Sequence, residues 1–314
     1  MLLSFGWGAV GAAQAEPLVL AAVRNPFCLP ILVAEVKGFF KAEGADVRIL
    51  ECPVGQQCLQ RVFDGSAQLA TVSELPVMHH SFERADYAIA ATFVTSNQNI
   101  QLVGRRSANA FTAGELEGKR VGVLAHSSAH YYLNAYLLFH GVDPARVQMV
   151  YLKPDTLASA IAQGEVDALA AFRHQASAAM LALGPDGILL GAPPIYTETF
   201  NLVAYRDTLT QRHGDIVKVL RALERAQRFI HEQPKAAKEI LQAGVNLNQE
   251  SADSVLQRYT YRLNLDQSLI STLEGEARWA VREGKVPAGR KVPNYLDYVD
   301  ERALRAAVPA AFRK

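Results

Sequence analysis

Apolar and polar positions follow one another in blocks along the chain, and the order of the blocks repeats. A short apolar run of strand length, Leu18–Val23, precedes a stretch with apolar residues at helical spacing, Pro30–Glu43. The order strand, helix, strand, helix, strand is completed near Val72 and recurs from Val121 to Ala171. The repeat predicts two similar α/β lobes, each built on a parallel sheet. A single doubly wound domain is the competing architecture.

Strand-like segments between and after the repeats predict where the chain crosses from one lobe to the other. We expect two Rossmann-like lobes joined by two hinge strands, with hinges near Val103–Arg105 and Val203–Tyr205. The mostly helical tail from Asp215 onward is expected to pack on the first lobe. The predicted limits are residues 16–104 and 204–314 for lobe 1 and residues 105–203 for lobe 2.

Length and charge agree with a two-domain globular protein. The chain has 314 residues, of which half are hydrophobic, with 32 Lys and Arg against 31 Asp and Glu. The net charge is +1, and no long basic run is present in the sequence. Because nucleic-acid binding needs a clustered basic face, we expect no nucleic-acid partner. We also expect a monomer.

The first residues have the pattern of an export signal. Residues 2–15 are apolar or small, and Ala13-Gln14-Ala15 resembles a cleavage site, although no Lys or Arg precedes the apolar stretch. We expect residues 1–15 to be a signal peptide and the protein to be periplasmic. No Cys follows the cleavage site directly, so we expect no lipid anchor. The alternative is an apolar N-terminus of a cytoplasmic protein.

Three cysteines leave two interpretations open. Cys52 and Cys58 flank a short loop and are close enough in sequence to form a disulfide in an exported protein. Cys28 would then be left over, or it could pair with either of them if the two loops meet. Three separate buried thiols are the alternative. The spacing matches no zinc site, and we expect neither a metal nor a cofactor.

Polar residues follow the apolar strands at the end where α/β proteins bind ligands. In open α/β sheets the ligand lies beyond the carboxyl ends of the strands, so the loops there predict a polar cleft between the lobes. The residues that we expect to bind a ligand are Asn25, Cys28, Ser73, Glu74, Thr95, Asn97, Ser127, Ser128, Ala129, Arg173 and Asn201.

Two of these positions predict an anionic ligand. Ser127-Ser128 lies directly before a long helix, where free backbone amides and the helix dipole attract negative groups. Arg173 follows a buried strand and is suited to a carboxylate or sulfonate. Ordinary helix capping by the serines and a surface ion pair of Arg173 are the alternatives.

Several blocks of residues resemble one family. Gly38–Val47 followed by Asp64-Gly65 is similar to the opening of the nitrate/sulfonate/taurine solute-binding proteins of ABC importers, a family that includes pyrimidine-precursor binders. Leu116–Val123 followed by Ser127–His130 resembles its second-lobe signature, and Gln163–Ala168 resembles the next block. Together the blocks are more specific than any one of them.

The resemblance implies a type II periplasmic binding protein fold, closure of two lobes on a small-molecule ligand, and delivery to an ABC permease. It also implies that the loop at Ser127-Ser128 binds an anionic head group. The chain departs from the family at Arg173-His174, where an acidic residue and a proline are usual. An arginine there favours negative ligands over amines.

Two other classes of function remain open at the sequence level. A synthase-type enzyme on the same fold uses a cysteine-rich motif that is absent around Cys28. Ser127 lies outside any G-x-S-x-G elbow, so a serine nucleophile is not indicated. A regulatory module needs a DNA-binding segment, and no helix-turn-helix precedes Leu18. We therefore expect a binding protein and no enzyme, with a pyrimidine-precursor binder or related synthase as the alternative.

Overall fold

The strands form two separate sheets in the computed structural model, which describes residues 16–125, 127–191, 193–245 and 256–309. The first sheet contains β1 (Leu18–Val23), β2 (Val47–Cys52), β3 (Leu69–Ser73), β4 (Tyr87–Ser96), β10 (Glu198–Tyr205) and β11 (Thr260–Asn264). The second contains β5 (Ile100–Arg105), β6 (Arg120–Val123), β7 (Gln148–Tyr151), β8 (Ala168–Phe172) and β9 (Gly187–Leu189). The strand orders are β11-β4-β10-β3-β1-β2 and β7-β6-β8-β5-β9.

Helices connect and flank these strands. Those beside the first sheet are α1 (Leu29–Val36), α2 (Phe39–Ala42), α3 (Gly55–Phe63), α4 (Glu74–Ser81), α8 (Arg206–Gln211), α9 (His213–Glu232), α10 (Pro234–Val245), α11 (Gln267–Arg282) and α12 (Arg302–Ala307). Those beside the second are α5 (Ser128–Phe139), α6 (Leu157–Ala162) and α7 (Arg173–Leu183). We call the first sheet with its helices lobe 1 and the second with its helices lobe 2.

The two sheets share one plan. In lobe 1, β1 pairs in parallel with β2 and β3, and in lobe 2, β6 pairs in parallel with β7 and β8. A strand that arrives from the other lobe completes each set in antiparallel orientation, β10 against β3 and β5 against β8. The predicted fold class, two α/β lobes of the type II periplasmic binding protein fold, is confirmed.

The chain passes between the sheets within two short segments, residues 97–99 and residues 190–191 with 193–197, which we call the first and second crossing. β5 pairs with β8 and β9 over its whole length, and β10 pairs with β3 and β4. Both strands therefore begin after their crossing, whereas the sequence analysis put the hinges at their far ends. Apolar strands carry no signal for which sheet they join, and the exact residue limits of the lobes stay a prediction.

One predicted helix is two helices in the structure. Gly38 has a φ of 67°, in the left-handed region, so the helix expected over Pro30–Glu43 breaks into α1 and α2. Glycine tolerates this conformation without the steric cost that a side chain brings. The break turns Phe40 into the core of lobe 1, where it is buried.

The C-terminal helices pack on lobe 1. α9 carries a buried apolar face that includes Ile216, Leu220 and Leu223, and it lies against α1 and α12. α11 lies against α4. Because these helices follow β10 in the chain, lobe 1 is built from two separate stretches of sequence.

The cysteines are unlinked in the structure. Cys28, Cys52 and Cys58 are buried free thiols, which agrees with the second of the two interpretations above. The expected signal peptide, residues 1–15, lies outside the described residues. Within the described residues, no helix combines the length and apolar character that crossing a membrane requires.

Close packing in lobe 2 predicts a strong effect of one added methyl group. A Cβ at Gly104, in β5, would lie 1.9 Å from the carbonyl oxygen of Ala110 and 2.9 Å from a methyl of Leu190. We expect Gly104→Ala to lower the free energy of unfolding by about 3 kcal/mol, because backbone must move. Urea denaturation measures the change. Gly214→Ala, where a Cβ meets nothing within 4 Å, is the control, and equal stability of both variants would contradict the packing.

Candidate functional site

A buried polar network joins the two crossings. Nδ2 of Asn99, in the first crossing, donates to Oε2 of Glu198, directly after the second crossing, over 2.6 Å. The hydroxyl of Tyr259 donates to Oδ1 of Asn99 over 2.9 Å. Glu198 is 3% exposed, so this network lies within the gap between the lobes rather than on an outer surface.

The N-terminus of α5 faces the same network from lobe 2. Ser127 is the N-cap, and its hydroxyl oxygen accepts a hydrogen bond from the amide of His130. The hydroxyl of the buried Ser128 contacts the carboxyl group of Glu198. The amides of Ser128 and Ala129 lie in the first turn, where a helix offers no acceptor. This end of α5 is therefore a helix N-terminus directed at the gap.

Glu74 contributes a second buried carboxyl group from lobe 1. It is the first residue of α4 and is fully buried. Its Oε2 accepts hydrogen bonds from the amide and the hydroxyl of Thr199, at 2.7 and 2.8 Å, and its Oε1 accepts one from the hydroxyl of Tyr196. Glu74 thus ties α4 to the second crossing and to the start of β10.

Glu276 brings a third buried carboxyl group to this place. It lies on α11 and is fully buried beside Glu74 and Tyr196, yet neither of its oxygens has a hydrogen-bond partner of good geometry among the described residues. Burial raises the pKa of Glu276, and the neighbouring Glu74 and Glu198 raise it further. Burial likewise raises the pKa of Glu74, and it raises that of Glu198 to about 8. Three carboxyl groups therefore share one desolvated region.

Aromatic side chains lie beside the glutamates, and the hydroxyl of Tyr196 donates to Glu74. The ring of Tyr131, on α5, lies 5.5 Å from that of Tyr196 and 5.6 Å from that of Trp279, measured between centroids. The hydroxyl of Tyr131 fits against Gly275, where a Cβ would approach it to 2.8 Å. The wall formed by these rings belongs to both lobes, since Trp279 is on α11.

A direct hydrogen bond also joins α5 and α11. Nη2 of Arg282 donates to Oδ1 of Asn134 over 2.8 Å. The ring of His130 lies 5.0 Å from that of Trp279. These contacts hold the two lobes together along one side of the gap.

Arg173 does not extend freely into the gap. Its Nε and Nη2 both donate to the backbone carbonyl of Gln98, at 3.0 and 2.6 Å, and its amide donates to the carbonyl of Asn99. Its pKa is lowered, first by desolvation and then by the charge of Arg258. The guanidinium therefore fastens the first crossing to the start of α7.

The remaining expected residues fall into two groups. Asn97 lines a narrow cleft at the crossings, beside Glu198, and Thr95 lines a separate pocket of about 160 Å³ between β4, β11 and α11. Ser73 is the N-cap residue of α4, directly before Glu74, and its side chain makes no capping hydrogen bond.

Three other residues that were expected to bind a ligand make hydrogen bonds within lobe 1 instead. The side chain of Asn25 accepts from the amide of Phe27, and the buried Asn201 bonds Thr92 and Thr199. The thiol of Cys28 is 1% exposed and donates to the carbonyl of Val23.

Sequence reasoning missed the residues that dominate the site. Glu198 and Asn99 are absent from the ligand-binding residues that were expected from the sequence. Glu276 carries a usable signal, because it lies on the apolar face of α11 with Leu269, Leu273 and Ala280 at helical spacing. A carboxylate on such a face is rarely fully buried without a partner. No group of three or more His, Cys, Asp or Glu residues in the described part of the chain is arranged to hold a metal ion.

The architecture and the gap define a two-lobed protein of the periplasmic binding protein fold. Residues 25–237 match the NMT1/THI5 like family, and the chain belongs to that family.

The chain is also similar to individual proteins of known function. It is 24% identical to the taurine-binding periplasmic protein of Escherichia coli (strain K12) over 66% of this chain and 64% of the relative, so the match spans less than two thirds of that protein. The crystal structure of the periplasmic aliphatic sulphonate binding protein SsuA from Escherichia coli has a TM-score of 0.79 at 19% identity, covering 91% of this chain and 98% of SsuA. The desulfurization enzyme DSZB has the same fold, with a TM-score of 0.65 at 15% identity over 93% of this chain and 99% of the enzyme.

The raised pKa of Glu198 predicts a pH dependence of stability. A carboxyl group whose pKa is raised by folding binds more protons when folded, so its contribution is present at low pH and is lost as pH rises. We expect the free energy of unfolding to decrease as the pH rises from 4.5, the ordinary pKa of Glu, to about 8, the pKa of Glu198. Glu198→Gln should flatten this fall, whereas the exposed control Glu239→Gln should leave it unchanged. Chemical denaturation at several pH values measures the slope; identical slopes in all three proteins would contradict the assignment.

Proposed function

We propose that this chain is the extracytoplasmic solute-binding component of an ABC importer. In this proposal it captures a small anionic organic solute, sulfonate-like or carboxylate, between its lobes and presents it to a permease in the inner membrane. It is exported by a signal peptide, acts as a monomer and binds no nucleic acid. The observation that carries the proposal is the position of the α5 N-terminus, whose Ser128 reaches Glu198 across the gap.

The anionic part of the solute is assigned to the first turn of α5. The backbone amides of Ser128 and Ala129 have no acceptor within the helix, and the helix dipole makes this end positive. Ser127 adds a side chain that is only half-buried. An acidic head group placed here accepts several hydrogen bonds at once without needing a charged side chain.

The relatives support this role. One binds taurine by its name and the other aliphatic sulphonates, and both are named as periplasmic proteins. A sulfonate is a compact anion of the kind that the start of a helix binds. A pyrimidine-precursor binder, the alternative from the sequence, would use the same gap.

We propose that the protein does no chemistry on its solute, although DSZB is an enzyme of the same fold. A cysteine nucleophile reacts as the thiolate. Burial raises the pKa of Cys28 to about 12, and its thiol is directed at the carbonyl of Val23. Cys28 is thus unsuited to attack a solute in the gap.

Closure of the lobes is the step by which the solute is captured. The two crossings are the covalent links, and the contacts between α5 and α11 are contacts between the lobes that an opening of the gap would break. A solute that contacts both lobes shifts the population toward the closed form.

A negative charge introduced at the N-cap of α5 tests the proposed anion site. We expect Ser127→Asp to weaken binding of alkanesulfonates and small carboxylates by about tenfold or more, because the added carboxylate repels the anion where it binds. Aspartate caps helices as well as serine does, so the fold is retained. Isothermal titration calorimetry with a panel of short alkanesulfonates and carboxylates measures the change.

The matched control is Thr156→Asp at the N-cap of α6, an exposed position that makes the same charge change at another helix of lobe 2. We expect it to keep the affinity of the unaltered protein. Equal weakening by both substitutions, or none by Ser127→Asp, would place the anion elsewhere. Failure of every panel member to bind the unaltered protein would contradict the proposed solute class.

Loss of the α5–α11 hydrogen bond tests closure. We expect Arg282→Ala to shift the protein without solute toward a more open form and to weaken solute binding by about tenfold, because one hydrogen bond of a charged group between the lobes is removed. Small-angle X-ray scattering measures the radius of gyration, which should rise. Arg278→Ala, one turn earlier and paired with Glu274 on the same helix, should change neither quantity. An unchanged radius and affinity for Arg282→Ala would argue against closure through this contact.

A further inference from the structure

Three thiols lie together at one edge of the lobe 1 sheet, and the proposed binding of solute does not involve them. Cys52 is the last residue of β2, Cys58 lies in the first turn of α3, and Cys28 ends the 3₁₀ turn that follows β1. All three are buried in the same apolar core. Because β1 and β2 are parallel, their carboxyl ends bring these cysteines to the edge of the sheet that faces the gap.

The contacts of the thiols set one pair apart from the third cysteine. The thiol of Cys58 lies within hydrogen-bonding reach of the thiol of Cys52, whereas Cys28 acts on Cys58 through its charge without a hydrogen bond. The thiol of Cys28 is directed at the carbonyl of Val23 instead. The thiol of Cys52 also makes a long contact, 3.7 Å from Sγ to the carbonyl oxygen of Leu50. Cys52 and Cys58 are therefore the pair whose sulfur atoms are best placed to meet.

The segment between the two cysteines is short and is exposed on one side. Five residues separate them, and Val54 among these is 51% exposed. The amide of Cys58 donates to the carbonyl of Val54 over 3.2 Å, which folds the segment into the first turn of α3. On the inner side Gly55 packs against β3, where a Cβ would lie 3.2 Å from Cα of Val72. Since Cys52 is 6% exposed and Cys58 is 0% exposed, an oxidant from solution meets Cys52 first.

Packing as three small apolar side chains is the other explanation of this cluster. Free cysteine is often buried in protein cores. Burial raises the pKa of Cys58 and raises that of Cys28 to about 12, and a thiol with a raised pKa is seldom the reactive thiolate. This explanation predicts three thiols that stay reduced beside a disulfide reagent. A pair predicts that two thiols are lost together.

We propose that Cys52 and Cys58 are a redox pair, which exchange with a disulfide-bearing oxidant converts to a disulfide between the end of β2 and α3, with Cys28 left as a free thiol. The structure holds the reduced form. The thiolate of Cys52 attacks one sulfur of the oxidant, which forms a mixed disulfide and releases one thiol. The thiolate of Cys58 then attacks the sulfur of Cys52 and releases the second thiol. The two protons of the pair end on the released thiols, and the oxidant takes up two electrons.

The disulfide would close its loop directly behind the wall of the gap. α3 contacts β3, whose last residue, Ser73, leads into Glu74. Tying the first turn of α3 to β2 restricts the unfolded chain and thereby stabilises this edge of the sheet. Compartments outside the cytoplasm keep such bonds oxidised. The place of oxidation rests on the export that is part of the proposed function, but the chemistry of the pair does not.

Counting thiols tests the pair on the unaltered protein without a solute, so its failure is distinct from a failure of solute binding. The folded protein is incubated with oxidised or with reduced glutathione, quenched with acid, unfolded and labelled with N-ethylmaleimide. We expect all three cysteines to be labelled after reduced glutathione and Cys28 alone after oxidised glutathione, with a linked Cys52–Cys58 peptide in the mass spectrum of the digest. Full labelling after both treatments, a disulfide that includes Cys28, or a stable glutathione adduct in place of the disulfide would each overturn the pair.

Cys52→Ala tests the effect of the pair on stability. We expect the oxidised unaltered protein to melt about 5 °C above the reduced protein, the effect of cross-linking a short loop, and Cys52→Ala to melt at the same temperature in both states. Cys28→Ala removes a thiol from the same core and should keep the difference. Scanning calorimetry measures the melting temperatures. A difference that persists in Cys52→Ala or vanishes in folded Cys28→Ala contradicts the pair, and if either variant fails to fold, the thiol count on the unaltered protein decides.

Discussion

Polar groups that are buried between two apolar lobes must find hydrogen-bond partners there, and this constraint governs the centre of the molecule. Each lobe buries its own apolar core. The strands carry polar residues to the shared gap because parallel strands expose loops at their carboxyl ends. Glu198 meets this requirement through Asn99 and Ser128, and Glu74 meets it through Thr199 and Tyr196. The oxygens of Glu276 have no hydrogen bond of good geometry among the described residues, and this carboxyl group lies beside Glu74 and Tyr196.

The repeat of strands and helices was sufficient to predict the fold. Apolar runs such as Leu18–Val23 and Ala168–Ala171 are long enough to be buried strands, and both are strands of the structure. The start of α5 was equally predictable, because serine before an apolar helix is a strong capping signal and Ser127 is the N-cap. These features depend on local chemistry, which a single sequence contains.

The contents of the gap were less predictable, since they depend on contacts between distant segments. Glu74 and Glu276 are far apart in sequence, and nothing local indicates that they meet. Arg173 was expected to meet a ligand, but it is held by a carbonyl from the first crossing, which β5 brings beside β8. Cys28 follows a strand end, as ligand-binding residues often do, yet a 3₁₀ turn directs its thiol into the core. Sequence position thus identifies the loops at the gap but not which side chains enter it.

The same three glutamates affect the free energy of closing the lobes. Glu198, Glu74 and Glu276 all lie on elements of lobe 1, so closure of lobe 2 over them removes water from carboxyl groups that are already neighbours, and either repulsion or proton uptake opposes closure. On the proposed function, the acidic group of the solute accepts hydrogen bonds from the amides of α5 and offsets this penalty. Differential affinity for the closed form is what shifts such an equilibrium, and a solute without an acidic group supplies less of it. Selectivity then arises from the energy of the empty closed state as much as from contacts to the solute.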